Sequence, residues 1–189
     1  MNWEFVIPQV ETGEASEAAG QLMDSEEFAA FYERSARSLW AYLARVSGNP
    51  ALADDLMQEA YLRFLGASRV ADGEVACRRY LFRIATNLLR DHWRRPRTTS
   101  LEDLPELQFS AGDGSGPSDA LVTLGPALAQ MRPRDRQLLW LAYAEDYTHR
   151  EIAEITGLQT ASIRLLLFRA RRKVAHLLRN QAAKEVERV

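Results

Sequence analysis

The 189 residues predict an all-α fold of two small helical domains joined by a flexible acidic linker. Apolar residues recur at three-and-four spacing along most of the chain, and no Val/Ile/Thr alternation lasts long enough for a strand. Between Thr98 and Ser118 the composition changes to TTSLEDLPELQFSAGDGSGPS, whose Gly, Ser, Pro and acidic content is that of a linker. With 47% apolar and 26% charged residues, the chain is long enough to bury two compact cores, which excludes disorder as a whole-chain description. No internal repeat is visible, so the two domains differ and a solenoid is set aside.

Residues 1–21 form an acidic extension ahead of a first domain over 22–97. The first helix starts at the N-cap pair Asp24-Ser25, with Glu26 and Glu27 in its first turn. It carries Phe28, Phe31, Tyr32, Leu39, Tyr42 and Leu43, and Gly48-Asn49-Pro50 ends it. A second helix from about Ala51 to Leu65 carries Leu52, Leu56, Tyr61, Leu62 and Leu65; Gly66 and Asp72-Gly73 mark the loop after it. The third, from about Val75, stops at Arg95 before Pro96; Leu81, Ile84, Ala85, Leu88 and His92 make its apolar stripe. Past the 98–118 linker, helices fall near 119–131, 133–144, 148–156 and 160–180, giving a second domain over 119–180 and a tail over 181–189.

Charge is segregated along the chain although the formal net charge is only −2. Residues 1–30 carry seven acids and no base, while 78–97 carry seven arginines against Asp91 alone. Residues 99–119 have five acids and no base, and 164–179 have five arginines and Lys173 with no acid. Apart from Lys173 and Lys184 the positive charge is all guanidinium, the group suited to bidentate phosphate and base-edge contacts; genomic base composition gives the same bias.

The segment THREIAEITGLQTASIRLLLFRARRKV, residues 148–174, has the pattern of a helix-turn-helix. Small Ala153 suits the crossing of two helices, Gly157 suits a turn at positive φ, and Ile163 anchors the second helix, with Ile152 and Leu158 completing the core. At 100° per residue Ile163, Leu167, Ala170, Val174 and Leu177 fall on one stripe, and Ala161, Leu165, Phe168, Arg169 and Arg172 face outward. A bare αα-hairpin with a solvated basic face has similar helices; the Ala/Gly/Ile spacing favours a DNA-docking motif. On the third helix Tyr80, Arg83, Asn87, Arg90, Asp91 and Arg94 share a face. Guanidiniums for phosphate, an aromatic for stacking on an unpaired base and an amide for a base edge suit nucleic acid there, as against a merely solvated arginine face.

These residues resemble bacterial RNA polymerase sigma factors of the extracytoplasmic-function (ECF) group, the dissociable subunits that recognise promoters. The resemblance covers about 22–97 and 119–180. FYERSARSLWAYLARVSGNPALADDLMQEAYLRFL, from Phe31 to Leu65, is similar to the sigma region-two helices with their Asp-x-x-Gln-Glu signature. It implies that Asp55, Gln58 and Glu59 contact the clamp helices of the polymerase largest subunit. YLFRIATNLLRDHWRRP, from Tyr80 to Pro96, resembles the −10 reading helix W-L-x-x-I-A-x-N-x-x-x-D, with Tyr80 where Trp is usual. By resemblance Asn87 and the adjacent loop hold a flipped-out base, while Arg83, Arg90 and Arg94 grip the strands. Trp93 is expected to pack rather than wedge into DNA, and Cys77 to be an ordinary helix residue.

The stretch from Met131 to Val174 is similar to sigma region four, which docks on the polymerase β-flap and places a helix in the −35 major groove. The implied contacts are Ser162, Arg164, Leu165, Phe168, Arg169 and Arg172. Where the family has a segment near G-T-V-K-S-R-L, this chain has Ala161-Ser162-Ile163-Arg164-Leu165-Leu166-Leu167, so two polar positions are leucines. An exposed Leu165 can meet a thymine methyl but cannot read a donor or acceptor, and it also suits a protein partner. In the linker Glu102, Asp103, Glu106 and Asp113 either mimic RNA charge in a basic channel or merely solvate a tether. Trp3, Phe5, Val6 and Ile7 leave autoinhibitory docking and disorder both open.

The partners implied are core polymerase, promoter DNA and an anti-sigma factor, with no catalytic chemistry in the chain itself. Two alternatives remain: a sigma-like decoy that sequesters an anti-sigma factor, and a stand-alone helix-turn-helix repressor. His149 and Glu151 lie close, but no second carboxylate-histidine cluster or phosphate-cradling glycine loop accompanies them, which speaks against an enzyme. No cofactor and no metal are expected: Cys77 is the single cysteine, and only His92, His149 and His176 offer imidazole nitrogen. The lack of a run of about 18 apolar residues predicts no membrane insertion and a cytoplasmic location.

Overall fold

A computed structural model describes residues 23–67, 73–94 and 119–186, which hold seven helices and no strand. The N-terminal extension, the linker acids and the final residues 187–189 lie outside the described residues.

Helix α1 (Ser25–Ser47) begins where the sequence places it. Asp24 Oδ1 accepts from the backbone N–H of Glu26 and Glu27 at 2.9 and 2.8 Å, and Glu27 reaches back to the Asp24 N–H at 3.2 Å, a reciprocal capping box. Gly48 closes the helix at φ 75°, a conformation that favours a residue without Cβ. Pro50 opens α2 (Pro50–Leu65), capped by Asn49, whose Oδ1 accepts from the Leu52 N–H at 3.1 Å. With α3 (Glu74–Arg94) these helices make a three-helix bundle whose core includes Phe31 stacked on Phe64, ring centroids 5.1 Å apart. Tyr61 is buried beside them, its hydroxyl 2.7 Å from Ser35 Oγ.

In the second half α4 (Asp119–Ala129) leads to α5 (Pro133–Tyr143), α6 (His149–Thr156) and α7 (Thr160–Val186). Thr148 and Glu151 form a second capping box at the start of α6, and Gly157 ends it at φ 70°. Ile152, Ala153, Ile163, Leu167 and Ala170 are buried at the crossing of α6 and α7, with Leu158 packed against them. Helix α7 continues through Val186, past the end expected near 180.

The two halves share one continuous buried cluster, through contacts of α1 with α5 and of α3 with α6. The Tyr42 hydroxyl accepts from Gln137 Nε2 at 2.6 Å and lies 2.6 Å from Thr86 Oγ1, so α1, α3 and α5 meet in a buried polar triad. Buried Arg136 donates to the Val46 carbonyl at 2.8 Å and to that of Ala129 at 3.4 Å. One guanidinium thus serves the C-terminal carbonyls of both α1 and α4, where helix dipoles favour a cation.

This contact gives α3 a wider buried face than its expected stripe. Phe82, Thr86 and Leu89 are buried together with Leu81, Ile84, Ala85 and Leu88. His92, assigned to the stripe, is exposed, as is Trp93, which does not pack as expected. Residues 90–94 are all exposed, because the last turn projects past the packed segment. Cys77 is a buried helix residue.

Replacing Tyr42 by Phe removes the hydroxyl shared by Thr86 and Gln137 while keeping the ring. Urea denaturation should show a loss of about 1–3 kcal/mol, the cost of leaving a buried polar group without its partner.

Candidate functional site

Three helical faces carry the residues singled out from the sequence. On α2, Asp55 and Gln58 are exposed, and half-buried Glu59 accepts from Arg63 Nε at 2.7 Å. Neighbouring Asp54 is taken up by the Trp40 indole N–H at 2.7 Å, so Asp54 is a structural anchor rather than part of the free set. Helical spacing continues the same face to Leu62 and Leu65, both exposed, Leu62 at 66%. The apolar pattern of α2 places these two leucines with its core residues; they instead add apolar surface beside the Asp55/Gln58 carboxylate and amide.

On α3 the expected set is partly engaged within the protein. Tyr80 is half-buried, its ring 6.0 Å from that of Phe64, and the Arg83 guanidinium lies over it at 5.0 Å. Asn87 is exposed and its Oδ1 accepts from Arg90 Nη2 at 2.6 Å, which in turn comes within 3.5 Å of the Thr156 carbonyl at the end of α6. Arg94 is exposed, 4.0 Å from Asp91.

Arg78 and Arg79, outside the set expected to face DNA, face the second half. Arg79 pairs with Glu151 and Glu154 of α6, each at 3.2 Å. Arg78 pairs with Glu145 at 2.5 Å and donates to Ser38 Oγ at 3.1 Å. The available signal was one of sign: Glu145, Glu151 and Glu154 are acids in a domain whose other face is cationic.

Burial sets the chemistry of this junction. The Glu145 side chain is only 2% exposed, and desolvation pushes its carboxyl above the ordinary range against the opposing hydrogen bond from the Trp140 indole and the charge of Arg78. Glu151 moves the other way: the Thr148 backbone N–H and hydroxyl, at 2.9 and 2.8 Å, hold its carboxylate low. Tyr42 is pushed up to about 12 by burial, so it stays a neutral phenol in the triad.

On α7 the buried and exposed sets separate as the periodicity requires. Ile163, Leu167 and Ala170 are buried; Ala161, Arg164, Leu165, Phe168, Arg169 and Arg172 are exposed. Ser162 is half-buried at the edge of the face. Arg172 lies over the Phe168 ring at 5.9 Å, and Arg171 donates to the Tyr143 hydroxyl at 2.8 Å. No group of three or more His, Cys, Asp or Glu able to hold a metal occurs among the described residues, and none of their helices is long and apolar enough to cross a membrane.

Two family models match the chain: Sigma-70 region 2 over residues 31–99 and Sigma-70, region 4 over 123–174. RNA polymerase sigma factor CarQ of Myxococcus xanthus is 30% identical over 157 residues, covering 81% of this chain and 90% of CarQ. ECF RNA polymerase sigma factor BldN of Streptomyces coelicolor is 27% identical over 171 residues, 86% of this chain and 64% of BldN. Among solved structures, the sigma factor RpoE from Bartonella quintana, crystallised with the anti-sigma factor NepR, has the same fold. Its TM-score is 0.61 at 18% identity, covering 82% of this chain and 98% of that one.

Thr148→Ala should cost about 0.5–2 kcal/mol at neutral pH. Since the folded state holds the Glu151 carboxyl below its ordinary range, the part of the difference due to Glu151 is present above that range and is lost as pH falls through the lowered value. Denaturation of both proteins at neutral and acid pH measures it, and the gap should narrow in acid.

Proposed function

The chain belongs to the ECF group of RNA polymerase sigma factors, regulatory subunits in transcription initiation that are not themselves enzymes, and from that premise we propose that it selects promoters by reading both a −10 and a −35 element. The observation that carries this reading is the division of α7: an apolar stripe anchors it on α6, while Arg164, Leu165, Phe168, Arg169 and Arg172 stand exposed opposite, with half-buried Ser162 at the margin. A helix presented in this way from a helix-turn-helix fits the major groove.

In this proposal Asp55, Gln58 and Glu59 bind the clamp helices of the polymerase largest subunit, and the region-four-like half over 119–180 meets the β-flap. Tyr80, Arg83, Asn87, Arg90 and Arg94 take the −10 strands, Asn87 with a base out of the stack. Extruding a base costs a few kcal/mol, which several contacts and polymerase binding share. Arg90 exchanges its present partners, Asn87 and the Thr156 carbonyl, for phosphate or base when α3 meets DNA. An anti-sigma factor is a further proposed partner, as NepR is for RpoE.

Multi-round transcription by purified core polymerase on a fragment library of the source genome, with and without the protein, tests the proposal when start sites are sequenced. New starts that share two spaced upstream elements are expected. Polymerase binding without new starts would favour the decoy, and neither binding nor initiation would favour the stand-alone repressor.

Asn87→Ala should lower strand opening, read by the reactivity of unpaired thymines, and leave polymerase binding intact. Asp55→Ala with Gln58→Ala should abolish polymerase binding measured by co-elution; unchanged co-elution would remove the clamp assignment.

A further inference from the structure

Ala161, Leu165 and Phe168 follow one another at spacings of four and three, and so lie in a single line along α7. Leu165 is 50% exposed and Phe168 49%, a considerable apolar area left in water on a helix whose opposite side is already fully used in the core. Together with Arg164 and Arg171 they line an open surface groove. By helical geometry Arg164 and Arg171 stand on one side of the apolar line and Arg169 on the other, with Arg172 in line beyond Phe168. No carboxylate occurs between Thr160 and Lys184. Among the described residues Arg164 and Arg169 make no ion pair, whereas Lys173 is held by Asp135 at 3.8 Å.

A narrow apolar line flanked by guanidiniums, of which Arg171 is held by the Tyr143 hydroxyl and Arg164 and Arg169 make no ion pair among the described residues, needs an occupant that is anionic at its edges and carries small apolar groups along its middle. An acidic protein helix would bring a broad apolar face, and the apolar strip on α7 is only one side chain wide. The major groove of DNA supplies phosphates on both margins, and the single apolar group on its floor is the C5 methyl of thymine. Leu165 and Phe168 are three residues apart, about 4.5 Å of helix rise, close to the 3.4 Å step between bases.

We infer that Leu165 and Phe168 are specificity residues that select neighbouring thymines in the −35 element by packing on their methyl groups, while Arg164 and Arg169 hold the flanking phosphates. The inference rests on the assignment of α7 to the −35 element and adds the chemistry by which that site chooses its sequence: van der Waals contact with methyls in place of donor and acceptor matching at these positions.

The full-length protein, bound to core polymerase, is tested on a promoter found by start-site sequencing. Each thymine of the −35 element is replaced in turn by deoxyuridine, which removes the methyl and keeps every hydrogen-bonding group. Wild-type binding should weaken about fourfold at one or two adjacent positions, the equivalent of about 0.8 kcal/mol for one buried carbon group. Leu165→Ser should lose the sensitivity at one of these positions and Phe168→Ala at its neighbour, while the sensitivity to replacing the whole element persists. If replacing the whole element weakens binding but no deoxyuridine does, methyl selection is wrong and the −35 assignment stands. If replacing the whole element has no effect, both fall, and the strip is then tested as a surface for a protein partner.

Discussion

Gln137 reaches from α5 into the space between α1 and α3 to join Tyr42 and Thr86, and the relation of the two halves depends on that buried triad. Each of the three groups is removed from water and satisfied only by the others, so the helices that carry them cannot slide without breaking several hydrogen bonds at once. Arg136, the residue before Gln137 on α5, reinforces the arrangement. Its charge is tolerated inside because it meets the carbonyl ends of two helices. Phe82 packs alongside, its ring 5.2 Å from Tyr42 and 5.8 Å from Tyr147, so the polar triad is enclosed by aromatic surface from both halves.

With α3 held in this way, its charges fall into two groups. Arg78 and Arg79 turn toward α6 and the turn that precedes it, and find Glu145, Glu151 and Glu154. Arg83 and Arg94 remain at the surface, and Arg90 stands between, close to the turn that holds Gly157. The junction is less completely satisfied than the three-helix core: Arg78 Nε, Arg136 Nε and Tyr147 Oη are buried there without a hydrogen-bonding partner among the described residues. Unpaired buried polar atoms weaken the net gain from the apolar contacts around them, so this contact is softer than its burial alone implies.

Helix α7 solves a different problem. Its stripe of Ile163, Leu167 and Ala170 must stay on α6 for the motif to exist, and everything opposite that stripe is available for recognition. Guanidiniums on that side repel one another, and no acid stands on the helix between Thr160 and Lys184, a state that a polyanion relieves. An exposed leucine at 165 offers an apolar contact and no hydrogen-bonding group to whatever occupies this surface.

Local signals were legible from the residues alone. Asp24, Asn49 and Thr148 cap their helices through atoms two or three residues away, Gly48 and Gly157 adopt the positive φ that ends them, and the α7 stripe follows from a period of 3.6. These depend on near neighbours in the chain, so composition and spacing determine them, and with them the all-α class and the family motifs. The second buried side of α3, the exposure of His92 and Trp93, the outward turn of Leu62 and Leu65, and the pairing of Arg78 and Arg79 with glutamates were settled only by packing. Gln137 and Tyr42 are 95 residues apart, and Arg79 and Glu151 are 72 apart. Periodicity says which residues of one helix share a side; which helix covers that side depends on distant apolar surfaces excluding water together, and no short stretch of sequence encodes that choice.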